Sequence, residues 1–394
     1  MTATGPRTSS WDTPTGWGSG VSSSTRTAAA AAGARPAGEG PRPPAPRRAS
    51  PSSSGRERSG SPGGRVRLLC VLNGGVDHPS SRLRILQHLD HLKERGITAD
   101  VFVAKGTRAV DLADLARRAR RSDAILVQKK LFSRWKLPLL LGSAPLLFDL
   151  DDAVFAVSPD ERERFGEERA EARARSRRRR LSAVLKRSRR VIAGNPFLAD
   201  YASRHARDVA VLPTGVDLRP FPEDAIGRAR QARRGSAAPR IGWVGSRPSL
   251  RYLGSLAEPL RRLCARRPQL RFVQVCNAFV EWPGIPTETI AWSPESETAA
   301  LLGLDIGVMP LDDSPFSQGK CGLKILMYQA AGLPVVCSPV GANRELVEDG
   351  RTGLFAVTAD DWVDRLSRLL DDPALGRTLG ERGRARVLER YGSV

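Results

Sequence analysis

Short aliphatic runs alternate with longer charged stretches along the chain after Arg65. In the first half of the chain these runs begin near residues 66, 98, 124, 145, 191 and 209. Most stretches between them have the spacing of helices that pack one face against a core. Strands that alternate with helices predict a parallel sheet, because a parallel connection requires a long crossover that a helix usually fills.

A second series of aliphatic runs follows a polar stretch and begins near residues 240, 270, 289, 306 and 333. We therefore predict an α/β protein with two doubly wound, Rossmann-like domains that face each other across a cleft. We place the first domain at residues 65–218, a polar connector at 219–239 and the second domain at 240–394. Ligands bind such sheets at the carboxyl ends of the strands, so we expect the functional site in the cleft.

The beginning of the chain has a different composition. Residues 1–64 consist largely of Ser, Gly, Pro, Ala and Arg, with few large aliphatic side chains. Such a segment buries too little apolar surface to offset the chain entropy that folding removes. We therefore predict a disordered tail, whose function the composition does not indicate.

Charge and apolar content limit the class of function. The chain is 40% hydrophobic, and we find neither an apolar run that could span a bilayer nor a signal sequence. The five cysteines lack metal-site spacing, so we expect reduced thiols in a cytoplasmic protein. The net charge of +21 is compatible with peripheral contact at the inner face of an anionic membrane. Few aromatic residues interleave with the basic runs, so we expect no specific nucleic-acid partner.

The most informative segment begins at Ser314 and continues to Gly353. Gly319 and Gly322 precede a predicted helix, and Lys320 and Lys324 lie beside them. A glycine-containing loop that opens a helix directs several backbone N–H groups, and the positive end of the helix dipole, at one point. Together with two ammonium groups, this arrangement predicts the binding of a diphosphate.

This segment resembles the donor-binding core of the family 4 glycosyltransferases, which have the GT-B fold. The matching residues are Cys321, Gly322, Leu323, Ala330, Gly332, Pro334, Val335 and Val336, with Gly341, Glu345, Gly350 and Gly353 downstream. The resemblance implies that the protein transfers a sugar from a nucleotide-diphospho-sugar donor with retention of configuration. It also implies a reaction that needs neither a metal nor a cofactor.

The chain departs from the family pattern at two positions. The family has glutamates that contact the donor sugar and the ribose where this chain has Gly319 and Met327. Glu345 is the nearest carboxylate in the sequence, and we predict it on the nucleotide side of the cleft. These departures favour either a divergent enzyme or an inactive domain.

We predict that Lys320 and Lys324 are catalytic, because their charge would stabilise the leaving diphosphate. The family's phosphate-binding Arg and Lys loop corresponds here to a loop that begins at Gly245. The predicted donor-binding residues are Gly245, Ser246, Arg247, Gly319, Cys321, Gly322, Leu323, Met327 and Glu345.

Gly74 and Gly75 follow the first predicted strand, on the side of the cleft where we expect the acceptor. The pair fits either a loop facing the ligand or an ordinary turn with positive φ, and we favour the former. His78 lies in the same loop and is the histidine that we retain as a candidate. Arg82 and Arg84 fit either the binding of an anionic acceptor or solvated charges on a helix.

Asp149, Asp151 and Asp152 directly follow a predicted strand and complete the acceptor side. Three carboxylates at the end of a strand fit Mg²⁺ ligation, hydrogen bonds to an acceptor, general-base action or helix capping. Because the resemblance implies no metal, we favour the hydrogen-bonding and capping roles, with a cap predicted for Asp152.

The sequence thus predicts a glycosyltransferase that acts on a glycan, lipid-linked or small-molecule hydroxyl. A catalytically inactive GT-B domain that binds nucleotide or glycan, or scaffolds a partner, is the second hypothesis. A basic nucleic-acid-binding protein is the third, and it has only the charge of +21 to support it.

Overall fold

The computed structural model describes residues 65–104, 109–133, 135–142, 144–234 and 238–393. The predicted disordered tail, residues 1–64, lies outside the described residues. Two six-stranded sheets of parallel strands form the framework, which confirms the predicted α/β class with two Rossmann-like domains.

The first sheet has the strand order β2-β1-β3-β4-β5-β6. Its strands are β1 Val66–Leu72, β2 Ile97–Val103, β3 Ala124–Gln128, β4 Leu146–Leu150, β5 Arg190–Ala193 and β6 Val209–Val211. The helices of this half are α1 Pro79–Arg84, α2 Leu89–Glu94, α3 Ala109–Arg120, α4 Lys136–Leu141, α5 Pro159–Phe165, α6 Glu167–Arg187 and α7 Pro196–Ser203. Consecutive residues of β1, from Leu69 to Leu72, are fully buried, as expected for a strand covered on both faces.

The second sheet has the strand order β10-β9-β8-β11-β12-β13. The strands of this half are β7 Val216–Asp217, β8 Arg240–Val244, β9 Arg271–Cys276, β10 Thr287–Ala291, β11 Ile306–Met309, β12 Val335–Cys337, β13 Leu354–Phe355 and β14 Gly392–Ser393. Its helices are α8 Glu223–Arg234, α9 Ala257–Arg266, α10 Pro294–Leu302, α11 Pro315–Gln318, α12 Leu323–Ala330, α13 Asn343–Leu346, α14 Ala359–Asp371 and α15 Pro373–Arg390. A 3₁₀ helix, Arg247–Leu256, precedes α9.

Two stretches whose sequence has the pattern of a single helix, residues 80–96 and 160–190, are interrupted in the structure. The first consists of α1, a 3₁₀ turn at Leu86–His88 and α2, and it ends at Gly96, where φ is 77°. The stretch from 160 to 190 breaks at Gly166, whose φ of 73° is left-handed and favours glycine. A capping box between Ser158 and Glu161 fixes the start of α5 before that break.

Within the predicted connector, residues 223–234 form helix α8 rather than an extended link. Ile226 is its buried apolar contact with the core of the second domain. Arg230 pairs with Glu381 at 2.9 Å and Arg233 pairs with Asp305 at 3.2 Å. A single buried isoleucine among charged residues is too weak an apolar pattern to predict this helix from the sequence.

The chain segment before α8 is held to the second domain by a buried arginine. Arg384 of α15 donates hydrogen bonds to the carboxylate of Glu223 at 2.6 Å and to the carbonyl oxygen of Phe221 at 2.9 Å. It also donates to the carbonyl oxygen of Ala330. Just beyond α15, β14 pairs with β7 in parallel, so the end of α15 and the chain between the two sheets are joined.

The five cysteines are all unpaired thiols in the structure. Four are buried, and Cys321 is partly buried. Cys70, Cys276 and Cys337 lie in strands, and Cys264 lies in α9. Within the part of the chain that the structure describes, no helix is both long and apolar enough to cross a membrane.

We predict that Arg384→Met lowers the free energy of unfolding by about 3 kcal/mol, because two buried carbonyl oxygens and Glu223 lose their donor. The exposed neighbour Arg382 provides the control, and Arg382→Met is expected to leave the unfolding free energy within about 0.5 kcal/mol of wild type. Urea denaturation measures both. Equal effects of the two substitutions would contradict the anchoring role of Arg384.

Candidate functional site

A cavity of about 520 Å³ lies between the carboxyl ends of the strands of the two sheets. The residues that end or directly follow β3, β4, β8, β9, β10 and β11 all contribute to its lining. Thirteen of the candidate residues from the sequence line it: Arg82, Arg84, Asp151, Asp152, Gly245, Ser246, Arg247, Lys320, Cys321, Gly322, Leu323, Lys324 and Met327. The sequence therefore located the cavity, and most of the predicted donor-side residues lie in it.

The turn into α12 depends on Gly322. Its φ of 66° is left-handed, and a Cβ at this position would lie 2.1 Å from Cδ1 of Leu346. Only glycine meets both constraints without a shift of the neighbouring chain. The turn leaves Gly322 and Leu323, at the N-terminal end of α12, in the wall of the cavity.

The two predicted catalytic lysines differ in their surroundings. The ammonium group of Lys320 lies 4.0 Å from Asp152 and 4.6 Å from the centre of the Phe316 ring. That of Lys324 lies 5.5 Å from the centre of the Trp243 ring. Burial and the charge of Lys320 lower the pKa of Lys324 to about 7. Lys324 is therefore divided between its charged and neutral forms near neutral pH, and an anion bound beside it would favour the charged form.

The loop before α12 docks tightly on the first domain. A Cβ on Gly319 would lie 2.3 Å from the Cβ of Ala153, in the segment that follows β4. The side-chain amide of Asn195 donates to the carbonyl oxygens of Gln318 at 3.1 Å and Lys320 at 3.0 Å. This close approach explains why glycine stands at position 319, because a glutamate there would clash with the first domain in this arrangement.

The loop after β8 has a similar steric requirement. A Cβ on Gly245 would lie 2.2 Å from the ring of Trp243, the same ring that contacts Lys324. Glycine at 245 thus allows the indole to lie beneath the ammonium group. Ser246 and Arg247 follow at the start of the 3₁₀ helix, and both are exposed.

One of our predictions required Arg82 to be available to an anionic acceptor, but in the structure Arg82 is held in an ion pair. Its guanidinium donates to Glu297 of α10 at 2.9 Å and lies 5.5 Å from the centre of the Trp292 ring. The indole N–H of Trp292 donates to the same carboxylate at 2.7 Å. Arg82 therefore connects the two domains across the cavity, because α1 belongs to the first domain and α10 to the second.

Arg84 and Asp149, which the sequence suggested as separate candidates, neutralise each other. Nε of Arg84 lies 3.2 Å from Oδ1 of Asp149, and both side chains are almost completely buried. Arg84 also donates to the carbonyl oxygen of Leu212 at 2.7 Å. This pair holds the end of β4 against the segment after β6, so Asp149 has a structural role.

Asp151 forms a second buried pair, with Lys129, a residue that the sequence analysis missed. The ammonium group of Lys129 lies 3.0 Å from Asp151 and donates to the hydroxyl of Ser80 at 3.0 Å. Burial opposes the charge of Lys129, but Asp151 and the neighbouring carboxylates together outweigh burial and raise the pKa of the ammonium group. Burial likewise opposes the charge of Asp151, but Lys129, together with Ser80 and Arg84, outweighs it and lowers the pKa of the carboxyl group. Both groups are therefore charged at neutral pH.

Asp152 does not cap a helix, contrary to our prediction. Its Oδ1 accepts a hydrogen bond from the N–H of Ala153 at 3.1 Å within a turn, and the next helix, α5, begins with Ser158 as its cap. Among the residues that the structure describes, no cluster of His, Cys, Asp and Glu side chains is arranged to hold a metal ion.

Six predicted site residues do not line the cavity: Asp149 and Gly319, described above, and Gly74, Gly75, His78 and Glu345. His78 caps α1, where its Nδ1 accepts from the N–H of Ser80 at 3.3 Å. Gly74 packs against the His78 ring, and neither Gly74 nor Gly75 has a positive φ. Glu345 lies exposed on α13. Its position near the glycine motif in sequence does not bring its side chain into the cleft, because α13 follows a separate turn at Gly341.

The cavity also contains residues that the sequence analysis did not identify. They are Ser80, Lys129, Thr214, Asn277, Trp292 and Glu297. Three of these directly follow a strand, namely Lys129 after β3, Asn277 after β9 and Trp292 after β10. A polar or aromatic residue directly after a predicted strand was thus a usable signal. Glu297 carries no such signal, because it faces the cavity from within a helix.

The known proteins that resemble this chain in sequence include glycosyltransferases. Residues 238–372 match the family model described as glycosyl transferases group 1. D-inositol 3-phosphate glycosyltransferase of Arthrobacter sp. (strain FB24) is 31% identical over 227 residues, which make up 52% of each chain. This chain therefore spans about half the length of that curated relative.

Solved structures resemble the chain over a longer range. HepE of Anabaena, crystallised with UDP and glucose, matches with a TM-score of 0.60 at 16% identity, over 83% of this chain and 96% of the other. Sucrose-phosphate synthase of Thermosynechococcus elongatus matches with a TM-score of 0.62 at 18% identity, over 83% and 95%. At these identities the likeness establishes the fold, and it confirms the predicted GT-B architecture.

We predict that Gly319→Ala destabilises the protein by about 1–3 kcal/mol, since the added methyl group overlaps Ala153. Gly75→Ala is the matched control, because its φ is not positive and a Cβ there meets nothing within 4 Å. Thermal unfolding of both variants measures the difference. A Gly319→Ala protein as stable as Gly75→Ala would show that the two domains do not meet closely at this loop.

Proposed function

We propose that the protein is a glycosyltransferase that moves a sugar from a nucleotide-diphospho-sugar donor to a hydroxyl group of an acceptor. The observation that carries the proposal is the convergence of Gly322, Lys324, Lys320 and Arg247 on one cavity between two facing sheets. This arrangement offers backbone N–H groups and positive charge at the N-terminal end of a helix, which suits a diphosphate. The match of residues 238–372 to the glycosyltransferase family model supports the same assignment.

The chemistry of the proposed reaction is mainly electrostatic. When the bond between the sugar and the diphosphate breaks, negative charge grows on the leaving phosphate. Lys324, Lys320 and the N–H groups at the start of α12 would stabilise that charge. Lys324 would become fully protonated beside the diphosphate, because the anion opposes the effects that lower its pKa.

We propose retention of configuration without a metal. The carboxylate of Asp151 is held by Lys129, and that of Asp152 lies near Lys320, so neither is presented as an unpaired nucleophile. Attack of the acceptor hydroxyl on the face that the diphosphate leaves fits this arrangement. Close contact of the two domains at Gly319 and Asn195 would keep water from the donor during transfer.

The chain also fits a non-catalytic nucleotide- or glycan-binding role. Gly319 and Met327 motivate this second candidate, since they stand where the resembling family has glutamates. We propose instead a divergent active branch. Glycine replaces the family's first glutamate at position 319, where the loop docks tightly against Ala153. Lys320 and Lys324, which supply positive charge, lie in the cavity wall.

The test incubates the protein with UDP-, GDP- and TDP-sugars and measures the release of nucleoside diphosphate and the shift in melting temperature. We expect one nucleotide class to be cleaved and to stabilise the protein. Lys320→Ala and Lys324→Ala should each lower turnover by about 100-fold. Lys93→Ala, on the exposed surface of α2, is the control and should retain full turnover.

Stabilisation by a nucleotide without cleavage of any donor would favour the non-catalytic role. Full turnover in both lysine variants would contradict the electrostatic mechanism. If Lys93→Ala also lost donor cleavage, the effect would come from the overall charge of the protein and not from the lysines in the cavity.

Protonation of Lys324 gives a separate prediction. At pH 8 the amine, with its pKa lowered to about 7, is mostly neutral, and a bound diphosphate should charge it. Binding of the stabilising nucleoside diphosphate should therefore be accompanied by proton uptake at pH 8. The uptake should be smaller at pH 6, where the amine is already charged. Calorimetry in buffers of different ionisation enthalpy measures the uptake. Lys324→Met should abolish it, and an unchanged uptake in that variant would refute the assignment.

A further inference from the structure

Three cations of the described first domain line the cavity, namely Arg82, Arg84 and Lys129, and each is held in an ion pair. Arg84 pairs with Asp149, and Lys129 lies 3.0 Å from Asp151. Arg82 lies 2.9 Å from Glu297, which reaches across from the second domain. Each positive charge in this wall therefore faces a carboxylate at close range.

The second domain's side of the cavity differs. Among the described residues, no carboxylate lies within ion-pair distance of Arg247 or Lys324, and Lys320 has only the 4.0 Å contact with Asp152. Positive charge that is available to a ligand is thus confined to the wall where the donor diphosphate is proposed to bind. One cavity has one charged wall and one neutralised wall.

Resting on the proposed function, we infer that the acceptor is an uncharged polyhydroxylated compound, such as a sugar or polyol. Its hydroxyl groups would bind the Lys129–Asp151 and Arg82–Glu297 pairs. A hydroxyl group both donates and accepts, so it can bond to the ammonium or guanidinium N–H groups and to the carboxylate oxygens of one pair. A phosphate cannot donate to the carboxylates when it is fully ionised.

Binding of an anionic acceptor would require these pairs to separate. Asp151 and Lys129 are only 6% and 9% exposed, so a phosphate that captured Lys129 would leave a buried carboxylate without its partner. Such an unpaired buried charge is strongly unfavourable. The same argument applies less strongly to Glu297, whose side chain is 14% exposed and which also accepts from Trp292.

The backbone at Lys129 indicates that this pair is built into the fold. Lys129 has a φ of 35°, and it is the non-glycine residue with positive φ in the part of the chain that the structure describes. Its N–H donates to the carbonyl oxygen of Asp149 at 2.8 Å, which fixes the strained turn after β3. Its ammonium group donates to Ser80, lies 3.0 Å from Asp151 and belongs to a residue of the cavity lining, where a ligand hydroxyl can reach it.

Inorganic phosphate is the probe for the experiment. Calorimetric titration of the wild-type protein should show phosphate binding that Lys324→Met removes and Lys129→Met does not. With the donor side saturated by the stabilising nucleoside diphosphate, we expect no further phosphate binding to wild type. Asp151→Asn frees Lys129 and should create a second phosphate site. In the nucleotide-saturated protein, this variant should bind phosphate at least about tenfold more tightly than nucleotide-saturated wild type does. The double variant Asp151→Asn with Lys129→Met should lose it.

Glu297→Gln provides a second route, which does not depend on the stability of Asp151→Asn. It frees Arg82 and should also create phosphate binding. Asp208→Asn is the matched control, because it frees Arg190 from an exposed pair on the surface, and it should not do so. Glucose and glucose 6-phosphate extend the comparison, and in the nucleotide-saturated protein the phosphorylated sugar should bind no more tightly than glucose.

The inference is overturned if nucleotide-saturated wild type binds phosphate at a site that Lys129→Met removes. It is also overturned if neither Asp151→Asn nor Glu297→Gln gains phosphate binding, since the carboxylates would then not be neutralising this wall. These titrations measure anion binding and not turnover, so the two proposals can fail separately. If the protein cleaves a donor but wild type has a second phosphate site, only the inferred acceptor class is refuted. If phosphate binds as expected but no donor is cleaved, only the proposed reaction is refuted.

Discussion

The loop that precedes α12 binds tightly to the first domain, and the geometry of the cavity depends on this contact. Gly319 lies against Ala153, and Asn195 holds the carbonyl oxygens of Gln318 and Lys320. Because the same loop carries Lys320 and leads into Gly322, fixing it to the first domain also fixes the positive end of α12 relative to the first domain's side of the cavity. A small change in this contact would move the charged groups with respect to that side.

Electrostatic pairing determines which parts of the cavity can attract a ligand. The chain has 63 Lys and Arg residues against 42 Asp and Glu residues, and in the part that the structure describes many of the basic side chains pair locally with carboxylates. Within the cavity, burial increases the influence of each charge, since the surroundings screen it less than water does. Lys324 shows the effect of an uncompensated charge through its lowered pKa, and Lys129 shows the effect of a compensated one through its raised pKa.

The alternation of aliphatic runs and amphipathic stretches predicted the fold well, because parallel strands buried on both faces leave a strong signal in the sequence. The glycine and lysine residues around position 322 likewise predicted a loop and helix start that line the cavity. Prediction was poorer where a residue's role depends on a distant partner. Arg82 and Arg84 fitted either anion binding or solvated charges on a helix, yet they form ion pairs with Glu297 and Asp149. Glu345 looked close to the site in sequence but lies exposed on α13.

The sequence by itself determined the two α/β domains, the turn at Gly322 and the position of Lys320 and Lys324 beside that turn. These features depend on local periodicity and on backbone conformations that few residues adopt. Only the tertiary structure decided which charges are free, that Glu297 faces the cavity and that position 319 has no room for a side chain. The physical reason is that ion pairing and steric contact depend on distances between segments far apart in the chain, which local pattern does not encode.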